Sequence, residues 1–447
     1  MSRVFLIAAL MVQALAGTAA AQPSPSAQTP PLDDLKATLT KIRAEAPLAK
    51  APPDAGALVT LAKRQLREWV EQQLPTSADG DVGPLNSKLN AQLQASGLTG
   101  ASTCAEPDDS ADPAKASAQP PGRQSGACGF VDGVEIARTE AGRDGHFLTL
   151  ATGFDNAWCQ VDGSAYVYQF KDGRWRLVWE NEENAESASY APAPVREIVV
   201  ARRFTEDGKP EAPAPLVLTL SSALGCEGMW GAVRYRLWRV HDGDLRPPPL
   251  LSKNDGFYMG DDRTIDGRLL PDDLLVEYRN RSIDGGIHNR AFVYHFLIGD
   301  DDKVRRVAPV ALNPRDFVDE WLTQPWKDVS AWTEARSKAQ MRAWHSRIPN
   351  KAQEGFVAGA FTGPPLRCQG DSTLWQIGLS PSEGKDFDPG PVVYFLVRWM
   401  APYRFNMVAI TPKPRASCNL ADAMPDALDT LFSATGSPWP TGNPFAP

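Results

Sequence analysis

The chain has 447 residues, with 46 Lys and Arg against 54 Asp and Glu, which gives a formal net charge of −8 at pH 7. This acidic balance argues against a nucleic-acid-binding protein, because binding to a phosphate backbone requires clustered Lys and Arg side chains. A chain of this length can bury more than one hydrophobic core.

The first 21 residues have the pattern of a secretory signal peptide. Arg3 precedes an apolar run over 4–15, and three small residues over 19–21 form a cleavage site. No later segment reaches the length of about 18 apolar residues that a membrane-spanning helix needs. The sequence therefore predicts an exported protein, periplasmic or secreted, without a transmembrane anchor.

Two amphipathic helices are predicted after the leader. Apolar residues recur at helical spacing from Leu32 to Ile42 and again from Leu58 to Leu74. Prolines separate the two periodicities, which indicates a helical hairpin, and a weaker periodicity follows over 85–93. The predicted segments are a Pro/Ser/Gln linker (22–31), a helical N-terminal segment (32–98) and a low-complexity linker (99–128).

From Gly129 onward the sequence consists of short alternating strands in which a motif recurs. Gly-Phe opens the stretches 129–133, 256–260 and 355–359, and a tyrosine-bearing strand follows each at a nearly constant distance. A degenerate copy fits between the first two, so the recurrence indicates an internal repeat. The predicted β-repeat body (129–412) has units at about 129–182, 196–252, 256–311 and 355–412, and a C-terminal tail (413–447) follows.

Each unit has the pattern of a four-stranded antiparallel meander. Val, Tyr, Phe and Trp fill the strands, and short turns, most of them rich in Asp and Gly, join the third strand to the fourth. We expect second strands at FLTLATG, LVLTLSS, LLVEYRN and LWQIGLS, and third strands at AYVYQF, VRYRLWRV, AFVYHFLI and VVYFLVRW. The last strands are predicted at RWRLVWE, LRPPPLL, VRRVAPV and FNMVAIT. The predicted fold is mainly β, with about four propeller-like units; two β-sandwich-like domains are the alternative.

The third unit carries residues that resemble FG-GAP/VCBS-type β-propeller repeats. They are DDRTIDGRLLPDDLLVEY followed by AFVYHF, which form an acidic loop with glycine, an Asp-Leu-Leu-Val strand and a later Val-Tyr strand. The resemblance implies a propeller-like array. The regular calcium loop of that family is absent here. Calcium would suit the acidic loops near 261–273 and 299–302, but they lack Asp-x-Asp-x-Asp-Gly spacing, so the sequence predicts turns and no cofactor.

Six cysteines in an exported chain indicate disulfides rather than thiol chemistry. Sequence alone leaves many pairings open. Two cysteines occupy corresponding loops of the first two units, which favours a bridge between them. The favoured set is Cys104–Cys128, Cys159–Cys226 and Cys368–Cys418, and the spacing of Cys and His predicts no metal site.

A helical insertion interrupts the repeats over 313–350. Asn313 suits the N-cap, Pro314 suits the first helical position, and Asp316 lies where a capping box has its acid. A proline ends this helix, and a second helix is predicted over 330–345. We expect the pair to pack over the sheets, with a lid over a site as the alternative.

The loops between second and third strands share one face if the units radiate around an axis. They carry carboxylates, which can transfer protons, and Trp rings, which can stack on sugars. Packing between units and ordinary solvated loops would explain the same side chains without a site. The candidate ligand-binding residues are Asp155, Trp158, Glu227, Trp230, Asp284, His288, Asn289, Lys385, Asp386 and Asp388.

One histidine, His288, precedes the third-unit strand AFVYHF, and a second, His295, lies within it. His288 and His295 are separated by an odd number of positions, which places them on opposite faces of a strand and argues against a shared metal. His288 next to Asp284 would suit a general base, although a polar hairpin residue is the alternative. His295 is predicted to be a packed or rim residue.

These patterns favour a recognition or scaffold protein of the cell envelope that binds an unidentified protein or glycan on the loop rim. No catalytic spacing is recognised in the sequence, which leaves enzymatic activity uncertain. The alternative is a secreted hydrolase acting on glycans, with loop carboxylates as its acid and base.

Overall fold

The computed structural model shows a mainly β chain made of antiparallel sheets and a few helices. This confirms the predicted fold class. The residues that the structure describes are 32–45, 55–99, 131–139, 146–155, 161–182, 195–202, 214–224, 230–258, 265–281, 289–308, 310–347, 359–383, 388–401 and 404–421.

Three helices precede the sheets. They are α1 (Leu32–Glu45), α2 (Ala55–Glu71) and α3 (Gly83–Ala95). Their apolar stripes meet in one core, and that core continues onto one face of the first sheet. The predicted helical hairpin and the weaker third helix are therefore present.

Three sheets follow, and each is a four-stranded meander in which every strand pairs with its neighbours in sequence. The first contains β1 (Val131–Thr139), β2 (Phe147–Asp155), β3 (Val161–Lys171) and β4 (Arg174–Glu182). The second contains β5 (Val195–Ala201), β6 (Leu216–Leu224), β7 (Trp230–Arg239) and β8 (Leu251–Tyr258). The third contains β9 (Ile265–Leu270), β10 (Asp273–Arg281), β11 (Asn289–Ile298) and β12 (Val304–Val307).

The fourth sheet is larger than predicted. Its strands are β13 (Gly359–Phe361), β14 (Leu366–Cys368), β15 (Asp371–Glu383), β16 (Asp388–Pro389), β17 (Val393–Ala401), β18 (Arg404–Thr411) and β19 (Cys418–Leu420). The order is β18-β17-β15-β14-β19, and β13 and β16 also pair with β15. The predicted Cys368–Cys418 disulfide joins β14 to β19, so part of the predicted C-terminal tail belongs to this sheet.

The Gly-Phe motif does not mark the start of the third sheet, which corrects the predicted unit boundary. Gly256 and Phe257 lie in β8 and pair with β7 of the second sheet. The predicted last strand of that unit, LRPPPLL, is wrong because its prolines have no N–H to donate to a ladder, so β8 begins at Leu251. The third sheet instead starts at Ile265, in a stretch predicted to be a loop.

The first three sheets are layered face to face. Trp179 of the first sheet packs against Trp238 of the second, with ring centroids 4.8 Å apart. On the opposite face of the second sheet, Tyr235 packs against Tyr294 of the third, with centroids 5.9 Å apart. The second sheet is therefore covered on both faces, which explains why β6 reads LVLTL instead of alternating with polar residues.

The insertion contains α4 (Pro314–Thr323), α5 (Trp326–Val329) and α6 (Lys338–Arg347). Asn313 caps α4 as predicted, because its side-chain oxygen accepts from the N–H of Asp316 at 2.9 Å. The insertion shares a core with the fourth sheet, as expected. The prediction of one continuous helix over 330–345 is wrong. The chain is extended near Glu334, whose N–H donates to the Met407 carbonyl of β18 at 3.0 Å.

The free edge of β1 is covered by two asparagines of α3. Asn90 exchanges hydrogen bonds with the backbone of Val134, with N–O distances of 2.8 and 3.2 Å. Asn86 does the same at Ile136, with distances of 2.5 and 2.7 Å. Since these side chains are four residues apart on a helix and their partners two apart on a strand, the spacings match. A helix therefore protects this sheet edge in place of another strand.

We expect Asn86→Ala and Asn90→Ala each to lower the free energy of unfolding by about 1–3 kcal/mol, because each removes two hydrogen bonds to a sheet edge. Denaturant titration would measure the loss. Ser87→Ala, on the exposed face of the same helix, is the control and is expected to change stability by less than about 0.5 kcal/mol. Equal stabilities for all three variants would show that the hydrogen bonds from Asn86 and Asn90 to β1 contribute nothing to the free energy of unfolding.

Candidate functional site

A groove of about 430 Å³ lies between the first and second sheets. One wall is formed by four residues of β1 and two of β2, which are Glu135, Ala137, Arg138, Thr139, Thr149 and Ala151. Residues 197–200 of β5 form the other wall. We call it the β1–β5 groove. It follows the first strands of the two sheets, at the edge where their faces separate.

Small side chains keep this groove open. Ala137 pairs with Thr149, and Glu135 pairs with Ala151, so short side chains occupy this part of the first sheet. Elsewhere on the same face, Phe147 and Trp179 are large enough to reach the second sheet and fill the space. The groove therefore follows from the sequence of β1 and β2 rather than from a gap in the packing.

The groove carries negative charge on both walls. Glu135 and Glu197 line it, and neither has an ion-pair partner among the residues that the structure describes. Arg138 also borders the groove, but its guanidinium donates to the Gly80 carbonyl at 2.6 Å. With Arg138 as the one basic residue of this lining, the two carboxylates leave the groove with a net negative charge, which favours a ligand with positive charge.

Neighbouring groups modify the chemistry of this groove. Partial burial raises the pKa of Glu197, and the negative charge of Asp266 on β9 raises it further. The Oγ1 atom of Thr139 is buried without a hydrogen-bond partner in the described part of the chain. A hydroxyl and two carboxylates are thus available to donors of a bound molecule.

A second polar cluster joins α2 to the first sheet. Arg67 pairs with both Glu71 and Glu180, and Arg246 bonds to Glu180 at 2.6 Å and to Glu182 at 3.0 Å. Tyr168 donates to Glu71 at 3.0 Å. Each charge in this cluster has a partner, so the cluster holds the N-terminal helices and the two sheets together.

Burial sets the ionisation of two tyrosines in this cluster. It raises the pKa of Tyr166 and of Tyr168 well above the ordinary range, and the neighbouring acids Glu182 and Glu71 raise these values further. Both hydroxyls therefore stay protonated and act as hydrogen-bond donors.

A third cluster, the α4 network, lies between α4 and the third sheet. Arg290 of β11 is fully buried and donates to Asp319 and Glu320. Arg306 of β12 donates to the other oxygen of Glu320, and its guanidinium lies 4.2 Å from the ring centre of Tyr294. Burial would raise the pKa of Glu320, but the two arginines lower it overall. These charges are satisfied by one another.

His295 is buried in the third sheet, in agreement with the prediction of a packed residue. Its Nε2 atom lies 2.7 Å from Asp273, and its Nδ1 atom lies 3.0 Å from the Ala308 carbonyl. Burial lowers the pKa of His295, but these two hydrogen bonds outweigh burial and raise it. Both ring nitrogens have a partner in the third sheet or next to it, so this histidine has a structural role.

Most of the predicted site lies outside the described residues. The backbone places Asp155 at the end of β2, Trp230 at the start of β7, Asn289 at the start of β11, and Asp388 in β16. Asp155, Trp230 and Asn289 flank connections between second and third strands, and Asp388 lies within the connection between β15 and β17. The side chains of these four residues are not among those described. The other candidate residues and four of the cysteines lie wholly outside the described residues: Trp158, Glu227, Asp284, His288, Lys385, Asp386, Cys104, Cys128, Cys159 and Cys226.

Sequence reasoning missed Glu135 and Glu197. Each is flanked by an apolar residue within a strand, in VEI and REI, and a charge inside such a strand was the available signal. Glu135 and Glu197 belong to different sheets, so their spacing in the sequence did not indicate that they line the same groove.

Across the described ranges, no set of three His, Cys, Asp or Glu residues is arranged to hold a metal ion. No helix in the same ranges is long and apolar enough to cross a membrane. No known family model matches the sequence, and a search of curated proteins finds no significant match.

Proposed function

We propose that this chain is an exported recognition or scaffold module of the cell envelope, which binds a protein or glycan and leaves it chemically unchanged. The observation that carries the proposal is the β1–β5 groove. Its acids Glu135 and Glu197 lack ion-pair partners in the described residues, whereas the charges of the two clusters beside α2 and α4 compensate one another.

The layered sheets support a rigid binding surface. The groove walls belong to two sheets joined by the core around Trp179 and Trp238, so a ligand meets a preformed site. A preformed site loses less conformational entropy on binding than a flexible loop does.

The loop rim is proposed as a second contact region. Phe147 and Val217 lie near the starts of β2 and β6 and share one core. This arrangement supports a common direction for both second strands, with their connections to the third strands at one end. The candidate residues of those connections would then extend the ligand contacts beyond the groove.

Arrays of envelope glycans and of peptides, followed by calorimetry on the hits, would test the proposal. We expect Glu135→Gln/Glu197→Gln to weaken binding about tenfold, since two charge contacts are lost. Asp79→Asn removes an exposed acid between α2 and α3 and is the control. Unchanged affinity in the groove double variant would overturn the placement of the site.

Mass spectrometry of the incubated ligands would separate binding from hydrolysis. Recovery of intact ligand supports the recognition function. Cleavage of a glycan, lost in Glu227→Ala, Asp284→Ala or Asp386→Ala, would overturn it and support the hydrolase alternative.

A further inference from the structure

We propose that the free edge of β5 accepts an extended, positively charged peptide as an additional β-strand within the β1–β5 groove. The inference rests on the proposed recognition function and names the class of ligand. An edge strand presents unpaired N–H and C=O groups, and pairing with an extended peptide satisfies them.

The two strand edges at the groove differ in their backbone hydrogen bonds. The outer edge of β1 is occupied by Asn86 and Asn90, which bond to Val134 and Ile136. In the part of the chain that the structure describes, β5 pairs with β6 alone. Among the described residues, the edge of β5 is therefore the one available to an incoming strand.

The dimensions suit a short strand. Four consecutive residues of β5, 197–200, line the groove, and at about 3.3 Å per residue they span about 13 Å. The facing wall contains Ala137, Thr149 and Ala151, whose short side chains leave room for every second side chain of the ligand. A peptide in extended conformation fits this shape better than a folded surface does.

The charges select a basic peptide. Glu135 lies on the wall opposite β5, Glu197 lies on β5 itself, and Asp266 acts electrostatically on Glu197 from the next sheet. A strand added to β5 presents successive side chains to opposite faces. Lys or Arg on one face would meet Glu135 of the first sheet, and Lys or Arg on the other face would meet Glu197, which shares its face of β5 with Val199. The partnerless hydroxyl of Thr139 offers one more polar contact.

The test uses the full chain and a fluorescent octapeptide of alternating Lys and Val. We expect it to bind at least about tenfold more tightly than the matching Glu/Val peptide, because of the groove charge. Versions of the Lys/Val peptide that are N-methylated at alternate residues, in both registers, keep the charge but lose the backbone donors. At least one register is expected to abolish binding.

Hydrogen exchange provides an independent readout. Amides in 195–201 are expected to gain protection when the Lys/Val peptide is bound, and Glu135→Gln/Glu197→Gln is expected to weaken binding about tenfold. Equal binding of all N-methylated peptides, or unchanged exchange in β5, would overturn strand addition.

Failure of this inference is distinguishable from failure of the proposed function. If the Lys/Val peptide does not bind but another ligand does, and that ligand is sensitive to Glu135→Gln/Glu197→Gln, strand addition is overturned and recognition stands. If no ligand class depends on the groove, both proposals are overturned.

Discussion

Replacement of Arg290 by Met is expected to lower the free energy of unfolding by about 3–5 kcal/mol, the largest single-residue effect that we predict. Arg290 is fully buried and donates to Asp319 and Glu320, which are themselves buried. Met nearly preserves the side-chain volume, so the loss comes mainly from leaving two carboxylates without their cation. Denaturant titration at neutral pH, with both fluorescence and circular dichroism, would measure it.

Arg305→Met is the matched control, because Arg305 is an exposed arginine on β12, next to Arg306. It is expected to change stability by less than about 0.5 kcal/mol. Adding Asp319→Asn to Arg290→Met is expected to restore part of the loss, since one uncompensated buried charge is removed. A loss below about 1 kcal/mol for Arg290→Met would contradict this account of the α4 network.

The meander architecture was predictable because its signals are local. Alternation of apolar residues identifies strands, and the tight turn at Asp172 and Gly173, both with positive φ, joins β3 to β4 as expected. Tyr168, Tyr235 and Tyr294 all lie on third strands, as the repeat predicted. Each of these features is encoded within a few residues of the chain.

The position of the Gly-Phe motif was misleading because similarity of sequence does not fix pairing. Gly256 and Phe257 resemble the start of a unit, yet the proline run just before β8 delays the last strand of the second sheet into this motif. Pairing of β8 with β7 satisfies backbone N–H and C=O groups that would stay unpaired if Gly256 and Phe257 began a separate strand. Register thus overrides the local pattern.

The contacts between layers were not predictable from periodicity. In the sequence, Arg290 follows the loop between the second and third strands of its unit, and nothing indicates a buried ion pair there. The sequence indicates only a helix-capping role for Asp316. Their proximity depends on where the insertion lies against the third sheet, which has no local signal. The same holds for Glu135 and Glu197, whose shared groove depends on how far two sheets separate at one edge.

Asp316→Asn is expected to make stability less dependent on pH between about pH 4 and pH 8. Burial raises the pKa of Asp316 from its ordinary 3.8 to about 7, against the opposing effect of Arg290 and with a further increase from Asp319. Below about pH 3.8 the group is protonated in both states. As pH rises toward 7, the unfolded chain releases the proton while the folded chain retains it, so stability is lost.

The wild type is expected to lose on the order of 3–4 kcal/mol through Asp316 across that window. His295 acts in the same direction, because its raised pKa gives stability that is present below about pH 6.5 and lost at higher pH. Glu320 acts in the opposite direction, since its lowered pKa gives stability that is lost as pH falls.

Urea titrations of wild type and Asp316→Asn at several pH values would measure the difference. The two proteins should be closest in stability near pH 4, and the variant should be the more stable one at pH 8. Asp79→Asn, which removes an exposed carboxyl, is the control. Parallel curves for wild type and Asp316→Asn would mean that Asp316 is ionised throughout, and that Arg290 and Arg306 supply enough positive charge to stabilise Asp316 in addition to Asp319 and Glu320.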